Sequence, residues 1–284
     1  MAQQGYIAGR GDAPDGTVLV RTSPIALTHD FVQPRHDHAW HQLTFAARGH
    51  LEIVTDDARR LVPADRAVWV PAGTPHVEHM RAPITLRSLY LARAAVPDPH
   101  PRVRTIAVSP LLRELVQHIS RIGALDVAIP AHARLVGVLL DLLQAAEDVP
   151  LELPTPRDPR ARKLAELVAR EPGATTDARV LAKRAGASLR TLERIFAAET
   201  GVSLGTWRRR VRLFHALRLL EGGASVTSVA LDAGYATPSA FAHAFAAQFG
   251  RPPSASRSTP RATPPPSPAR RPPARRHRSR PDRP

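Results

Sequence analysis

Over the first hundred residues, apolar side chains come in short runs of β-branched and aromatic residues, broken by proline, glycine or aspartate. Five runs stand between residues 17 and 93: "VLVRT", "QLTFAA", "HLEIVT", "RAVWVP" and "LRSLYLA". Their even spacing and turn signals predict a small barrel or jelly roll over residues 17–104. Beyond residue 105 the apolar period lengthens to that of a helix. "SPLLRELVQHISRIG" carries one stripe of Leu111, Leu112, Leu115, Ile119 and Ile122. "AHARLVGVLLDLLQAAED" carries a second of Leu135, Val138, Leu139, Leu142 and Leu143. These predict a helical connector over 105–149, packed on the barrel. "VPLELPTPRDP" then reads as a Pro-rich, semi-rigid linker over 150–159.

From residue 160 to 257 the pattern is helical throughout, and its punctuation is explicit. Asp177 caps a helix with Val180, Leu181 and Ala185 inward, and Gly186 ends it. Ser188 caps a second, with Leu189, Leu192, Ile195 and Phe196 inward, stopped by Gly201. Helix, three-residue turn with glycine, helix is the helix-turn-helix pattern. It leaves Arg190, Thr191, Glu193, Arg194 and Ala197 on the open side. The pattern recurs from Ser225, with Val226, Val229 and Ala230 inward and Gly234 closing. Thr237 and Pro238 start its partner helix, lined inward by Phe241, Phe245 and Phe249, with Ser239, Ala240, His243 and Ala244 outward or at the border. Between the units, "SLGTWRRRVRLFHALRLLEGG" predicts one helix of about 18 residues, or roughly 27 Å. Two recognition helices that far apart, with modest tilts, reach successive major grooves, which recur every ~34 Å.

Charge divides the chain the same way. The net charge is +15, but residues 1–157 balance 16 arginines against 16 acids. Residues 158–257 carry +8 and residues 258–284 carry +7. The polyanion partner therefore belongs to the back half. With no cysteine, disulfides and thiolate metal sites are excluded. The first residues lack an apolar h-region, and no apolar run approaches the roughly 18 residues a span needs, so a soluble, cytoplasmic protein without a membrane partner is expected. Residues 1–16 read as a flexible start. The tail from Ser258, with nine prolines and no large apolar residue, is expected to be disordered.

Residues 160–257 resemble the DNA-binding domain of the AraC/XylS family of bacterial transcription regulators. "VTSVALDAGYATPSAFAHAFAAQFGRPPS" matches the family's second-unit signature and "ETGVSLGTW" its junction, with Arg257 where a closing arginine is expected. The resemblance implies DNA reading by Ser188, Arg190, Thr191, Glu193 and Arg194 on one helix and Ser239, Ala240 and His243 on the other. Arginine pairs bidentately with guanine O6 and N7, so base reading by at least one of Arg190 and Arg194, one turn apart, is expected here; phosphate contact or plain solvation is the alternative. The second helix departs from the first in lacking arginine and lysine, which points it toward backbone phosphates.

In the front half, His36-x-His38, Gln42 and Gly49, followed by Pro71-x-Gly73 and His76, resemble the two cupin motifs. Gln42 stands where metal-binding cupins carry glutamate, Met80 where the second motif ends in Asn, and Asp65 where it opens on Gly. The readings stay open. His36, His38, Gln42 and His76 hold a divalent metal, the one cofactor candidate, or the same residues with Trp69 line an effector pocket, or the histidines are structural. The resemblance further implies operator DNA, a small-molecule effector, RNA polymerase and a second copy of the chain as partners, the dimer using the connector helices. The fold class is α+β: cupin-like sensor barrel, helical connector, all-α double helix-turn-helix domain. The rival is a metal-dependent cupin enzyme, a dioxygenase or isomerase, carrying a nucleic-acid-binding module. Gln42 and the lack of an evident further carboxylate count against it.

Deleting residues 258–284 should weaken non-specific DNA binding and flatten its salt dependence, because eight arginines displace counterions. Binding measured across a salt series decides, and an unchanged slope makes the tail a passenger.

Overall fold

In a computed structural model, residues 16–64, 66–96 and 100–256 are described. Residues 1–15, Asp65, Arg257 and the tail lie outside them, and with them the expectations placed there.

The strands are β1 (Val18–Leu27), β2 (Phe31–His36), β3 (His41–Val54), β4 (Ala58–Pro63), β5 (Arg66–Val70), β6 (His76–Leu91), β7 (Arg104–Ala107), β8 (Ala124–Asp126) and β9 (Glu152–Pro154). The helices are α1 (Pro110–Ile122), α2 (Pro130–Gln144), α3 (Pro159–Arg170), α4 (Ala178–Ala185), α5 (Leu189–Thr200), α6 (Leu204–Glu221), α7 (Val226–Asp232) and α8 (Pro238–Phe249). All strand pairs are antiparallel, in the order β7-β5-β3-β6-β1-β8, with β2 on β6 and β4 between β3 and β9.

"QLTFAA" and "HLEIVT", expected as two strands, are one. The polar and glycine residues between them form a bulge, not a turn, because β6 runs alongside from Val77 to Leu91. The register shifts on either side of Arg48, and Gly49 takes a positive φ of 74°. A Cβ at Gly49 would meet the Pro83 carbonyl at 2.7 Å, so only glycine lets the strands bend together here. The bend lets β3 pair β5 with one half and β4 with the other.

Each face of this sheet has its own core. Ile25, Leu51, Ile53, Val62, Val68, Met80 and Leu86 fill one side. Leu43, Phe45, Trp69, Leu89 and Ile106 pack on the other against Leu112, Val116, Ile119, Val136 and Leu139 of α1 and α2. Burial on both faces is why these strands read as unbroken apolar runs. The predicted stripes are only partly inward: Leu111 and Val138 are exposed, as is Ile122 at the helix end, because barrel and partner helix cover a narrower arc than the apolar one.

Residues 150–159 do not form a free linker. "PLELP" alternates at period two, and β9 pairs β4 while Leu151 and Leu153 join Leu61 in the core of the helical domain. Trp207 Nε1 donates to the Pro154 carbonyl at 2.9 Å, and Gln248 donates to Pro150 at 3.0 Å.

The helical caps fall as the sequence places them. Asp177, Ser188, Ser225 and Thr237 accept backbone N–H bonds at the starts of α4, α5, α7 and α8, and Gly186 and Gly201 close helices in the left-handed conformation. Val180, expected inward, is 51 % exposed, since Leu181, Ala182 and Ala185 supply the contact face of α4. The two units touch backbone to backbone. A Cβ on Gly173, before α4, would lie 1.8 Å from the Asp232 carbonyl at the end of α7.

Gly173→Ala should therefore destabilise the protein by about 2 kcal/mol or more, the scale of overpacking a rigid contact. Chemical denaturation measures it; a change within about 0.5 kcal/mol would mean that the turn yields freely.

Candidate nucleic-acid interface and sensor site

The face of α5 that the core leaves free carries Arg190, Glu193 and Arg194, all exposed. Among the described residues neither arginine joins an ion pair. Leu192, Ile195 and Phe196 fix the helix from behind, and Phe196 meets Trp207 edge-on at 5.5 Å. Ser188 and Thr191 sit at the helix start, where the Ser188 hydroxyl accepts the Thr191 N–H at 3.1 Å and contacts its hydroxyl at 2.8 Å. Their first task is therefore the cap. Ser239, Ala240 and His243 are exposed on α8, opposite the buried Phe241, Phe245 and Phe249. Ala240 contributes its N–H to the Thr237 cap.

Part of the basic excess is internal. Arg208 donates to the Thr176 carbonyl at 2.9 Å, and Arg212 donates to Gly234 at 3.4 Å while its guanidinium lies 5.1 Å from the Tyr235 ring centroid. Burial, then Arg212 nearby, pushes the Arg208 guanidinium down from its ordinary range. These α6 arginines tie loops of both units to the central helix, which charge counting along the chain does not reveal.

In the barrel, His36, His38 and His76 converge. Ring centroids are 4.4 Å apart for His36–His76, 5.2 Å for His38–His76 and 6.2 Å for His36–His38. The β2–β6 register sets His36 opposite His76. His38 touches the Trp40 carbonyl through Nδ1 at 2.5 Å and Gln42 Oε1 through Nε2 at 2.8 Å. Gln42 donates from Nε2 to Thr44 Oγ1 at 2.8 Å and to Glu78 Oε1 at 2.9 Å. Burial above all pushes the His38 imidazole below its ordinary range, partly offset by the Gln42 bond.

Glu78, 1 % exposed, is the carboxylate that motif reading missed. It stands two residues after His76 on β6, hence on the same face, and period-two reading of "HVE" would have found it. One ring nitrogen each of His36 and His76 and a Glu78 oxygen lie within 4.8 Å of one another. Their Nδ1 atoms meet the carbonyls of Pro34 and Thr74 at 2.8 Å, and a carbonyl only accepts, so each Nδ1 bears a proton and the neutral ring offers its lone pair at Nε2. His76 Nε2 is buried without a hydrogen-bond partner. Two imidazole lone pairs and a carboxylate fit a divalent cation, with His38 and Gln42 as the adjoining shell.

Trp69 does not join this group. The β3–β5 register sets it opposite Leu43, whereas Gln42 faces Val70, so Trp69 points to the other side of the sheet. There it stacks on His41 at 5.0 Å and donates to the His100 carbonyl at 3.1 Å. Burial, with Arg93 and His38 nearby, pushes the His41 imidazole down to about 4.

Two family models match the chain: an AraC-like ligand binding domain over residues 19–152 and a helix-turn-helix domain over residues 181–259. The chain is 32 % identical over 229 residues to the HTH-type transcriptional regulator NimR of Escherichia coli (strain K12), covering 80 % of this chain and 82 % of that protein. It is 36 % identical over 102 residues to the HTH-type transcriptional regulator RipA of Corynebacterium glutamicum, covering 36 % of this chain and 30 % of that one. Among solved structures, ToxT from Vibrio cholerae O395 aligns over 84 % of this chain and 96 % of its own, at 10 % identity and a TM-score of 0.35.

Tag-free protein titrated with Zn²⁺ should bind about one ion per chain and gain thermal stability by mass action. Glu78→Gln and His76→Ala should each remove most of that gain. No uptake of zinc would make the cluster a polar seal at the barrel end.

Proposed function

Since the chain belongs to the AraC/XylS family of DNA-binding transcription regulators, with a ligand-binding domain ahead of its helix-turn-helix domain, we propose that it reads its operator chiefly through Arg190 and Arg194 of α5. The observation that carries this reading is the exposed arginine pair on α5, backed by a buried face that leaves the helix no freedom to roll. Ser239 and His243 give α8 only neutral or weakly basic donors. That supports a division of labour in which α5 discriminates bases and α8 anchors on phosphates.

The sensor input belongs to the barrel, and we place it at His36, His38, Gln42, His76 and Glu78. Two arrangements use these groups: a resident divalent cation, or an effector that meets the same donors. His76 Nε2, buried without a hydrogen bond and 3.8 Å from the Glu78 carboxylate, favours the cation. Turnover is not part of the proposal: His76 and Glu78 are almost fully buried, which suits sensing or bracing better than exchange of substrate and product. The exposed Leu111, Ile129 and Val138 support a homodimer through α1 and α2. RNA polymerase is the partner that a promoter-bound regulator addresses, and the cytoplasm is where it acts. Among the described residues no helix is long and apolar enough to cross a membrane.

Arg194→Ala should cost about 1–3 kcal/mol on the specific operator and relax preference at one base pair. Binding to a base-substituted operator series separates the outcomes. A uniform loss on every sequence would make Arg194 a phosphate contact and shift base reading to Arg190.

A further inference from the structure

Inside the helical domain, a pocket of about 140 Å³ lies between the end of α3, the loop that leads into α4, α4 itself and the first half of α6. Among the described residues none from the barrel lines it. Val168 and Leu181 give it an apolar side, and Arg170, Arg184, Arg208 and Arg212 give it a basic one. Glu171 is the one acid in this lining. Among the described residues neither it nor any of the four arginines joins an ion pair.

The two arginines of α6 are the more constrained. Arg208 and Arg212 stand four residues apart and therefore on one face of the helix, where like charges repel. Burial, and after it Arg212, pushes the Arg208 guanidinium down, and Asp177 offsets part of this. Each arginine spends one N–H on a carbonyl, Arg208 on Thr176 at 2.9 Å and Arg212 on Gly234 at 3.4 Å. A guanidinium has five N–H donors, and Arg212 Nε is buried without a hydrogen-bond partner. Buried donors and repelling charges are costly until an acceptor of opposite charge meets them.

We infer that this pocket holds a single oxyanion, a phosphate group or its equivalent, which accepts from Arg208 and Arg212 and has Arg170 and Arg184 at its exposed rim. Size sets the limit. A cavity of about 150 Å³ takes a benzene-sized guest and metabolite pockets begin near about 300 Å³, so one phosphate fits and a nucleotide does not. Forked guanidinium donors match the oxygens of such a group. The pocket borders the junction of the two helix-turn-helix units. Gly173, between the lining residues Pro172 and Ala174, packs on the Asp232 carbonyl, and Arg212 lies over the Tyr235 ring. An occupant therefore fastens the loop before α4 to α6 beside the contact that joins the units. Free phosphate and a phosphate of the DNA backbone offer the same chemistry. The inference is independent of the sensor site in the barrel and of base reading by α5.

Inorganic phosphate is titrated into the full chain, against sodium chloride at matched ionic strength. It should raise Tm saturably, by about 5 °C at a roughly 100-fold excess over Kd. Titration calorimetry should give one phosphate per chain. Arg208→Gln and Arg212→Gln should each weaken that binding about tenfold or more. Both residues also brace loops, so an Arg170→Gln, Arg184→Gln double variant, at exposed positions, covers the case in which they fail to fold. It should weaken binding severalfold. An Arg190→Gln, Arg194→Gln double variant should keep the affinity. With operator DNA bound, an unchanged phosphate affinity identifies free phosphate as the ligand, and competition assigns the pocket to a backbone phosphate. A Tm that follows ionic strength alone, or an affinity unchanged in the pocket variants, overturns the inference. So does an affinity that is lost with Arg190 and Arg194.

Discussion

The central helix α6 is buried on more than one side, and the rest of the DNA-binding domain is organised by that fact. Leu204, Trp207, Val211, Phe214, Leu217 and Leu220 meet the units before and after it, and Leu213 and Ala216 fill the remaining arc. A helix with so little free surface cannot serve one unit alone. It fixes the separation of α5 and α8 by its own rise, about 27 Å over its 18 residues. The contact of Gly173 with the Asp232 carbonyl closes the same arrangement from the other end. Spacing and phase of α5 and α8 are thereby properties of packing, not of a flexible connection.

The same helix carries the boundary with the sensor domain. Glu221 at its end meets His50 of β3, while Trp207 and Arg210 near its start bond the backbone of β9. A change in the barrel therefore has two short routes to α6. One runs through the bulge at Gly49, beside His50, and the other through β4 and β9. Each is a contiguous set of contacts.

Much of the helical half was legible because its signals are local. Caps at Asp177, Ser188, Ser225 and Thr237 and stops at Gly186 and Gly201 depend on a few neighbouring residues, and each stands where the sequence puts it. The sheet was less legible. β2, β4 and β7 to β9 are short or polar, and they exist because longer strands offer them an edge. Strands covered on both sides show no alternation, so nothing local reveals that Trp69 faces away from the pocket residues. The motif points to Gln42 and not to Glu78, although two residues along a strand from His76 is the same face. Val180 and Leu111 are apolar at helical period yet exposed, because their neighbours already supply the contact.

The docking of residues 150–154 changes what counts as a module in this chain. Leu151 and Leu153 are core residues of the helical domain, yet Glu152 and Leu153 are also backbone partners of β4. A chimaera made by joining another sensor at residue 159 would strip the helical domain of two buried leucines and leave Trp207 Nε1 without its acceptor. A junction ahead of residue 150 would keep both but leave β9 without the strand it pairs. Exchange of sensors between relatives is thus possible only where the incoming barrel brings an edge equivalent to β4, which makes that edge, and not the connecting chain, the unit of compatibility.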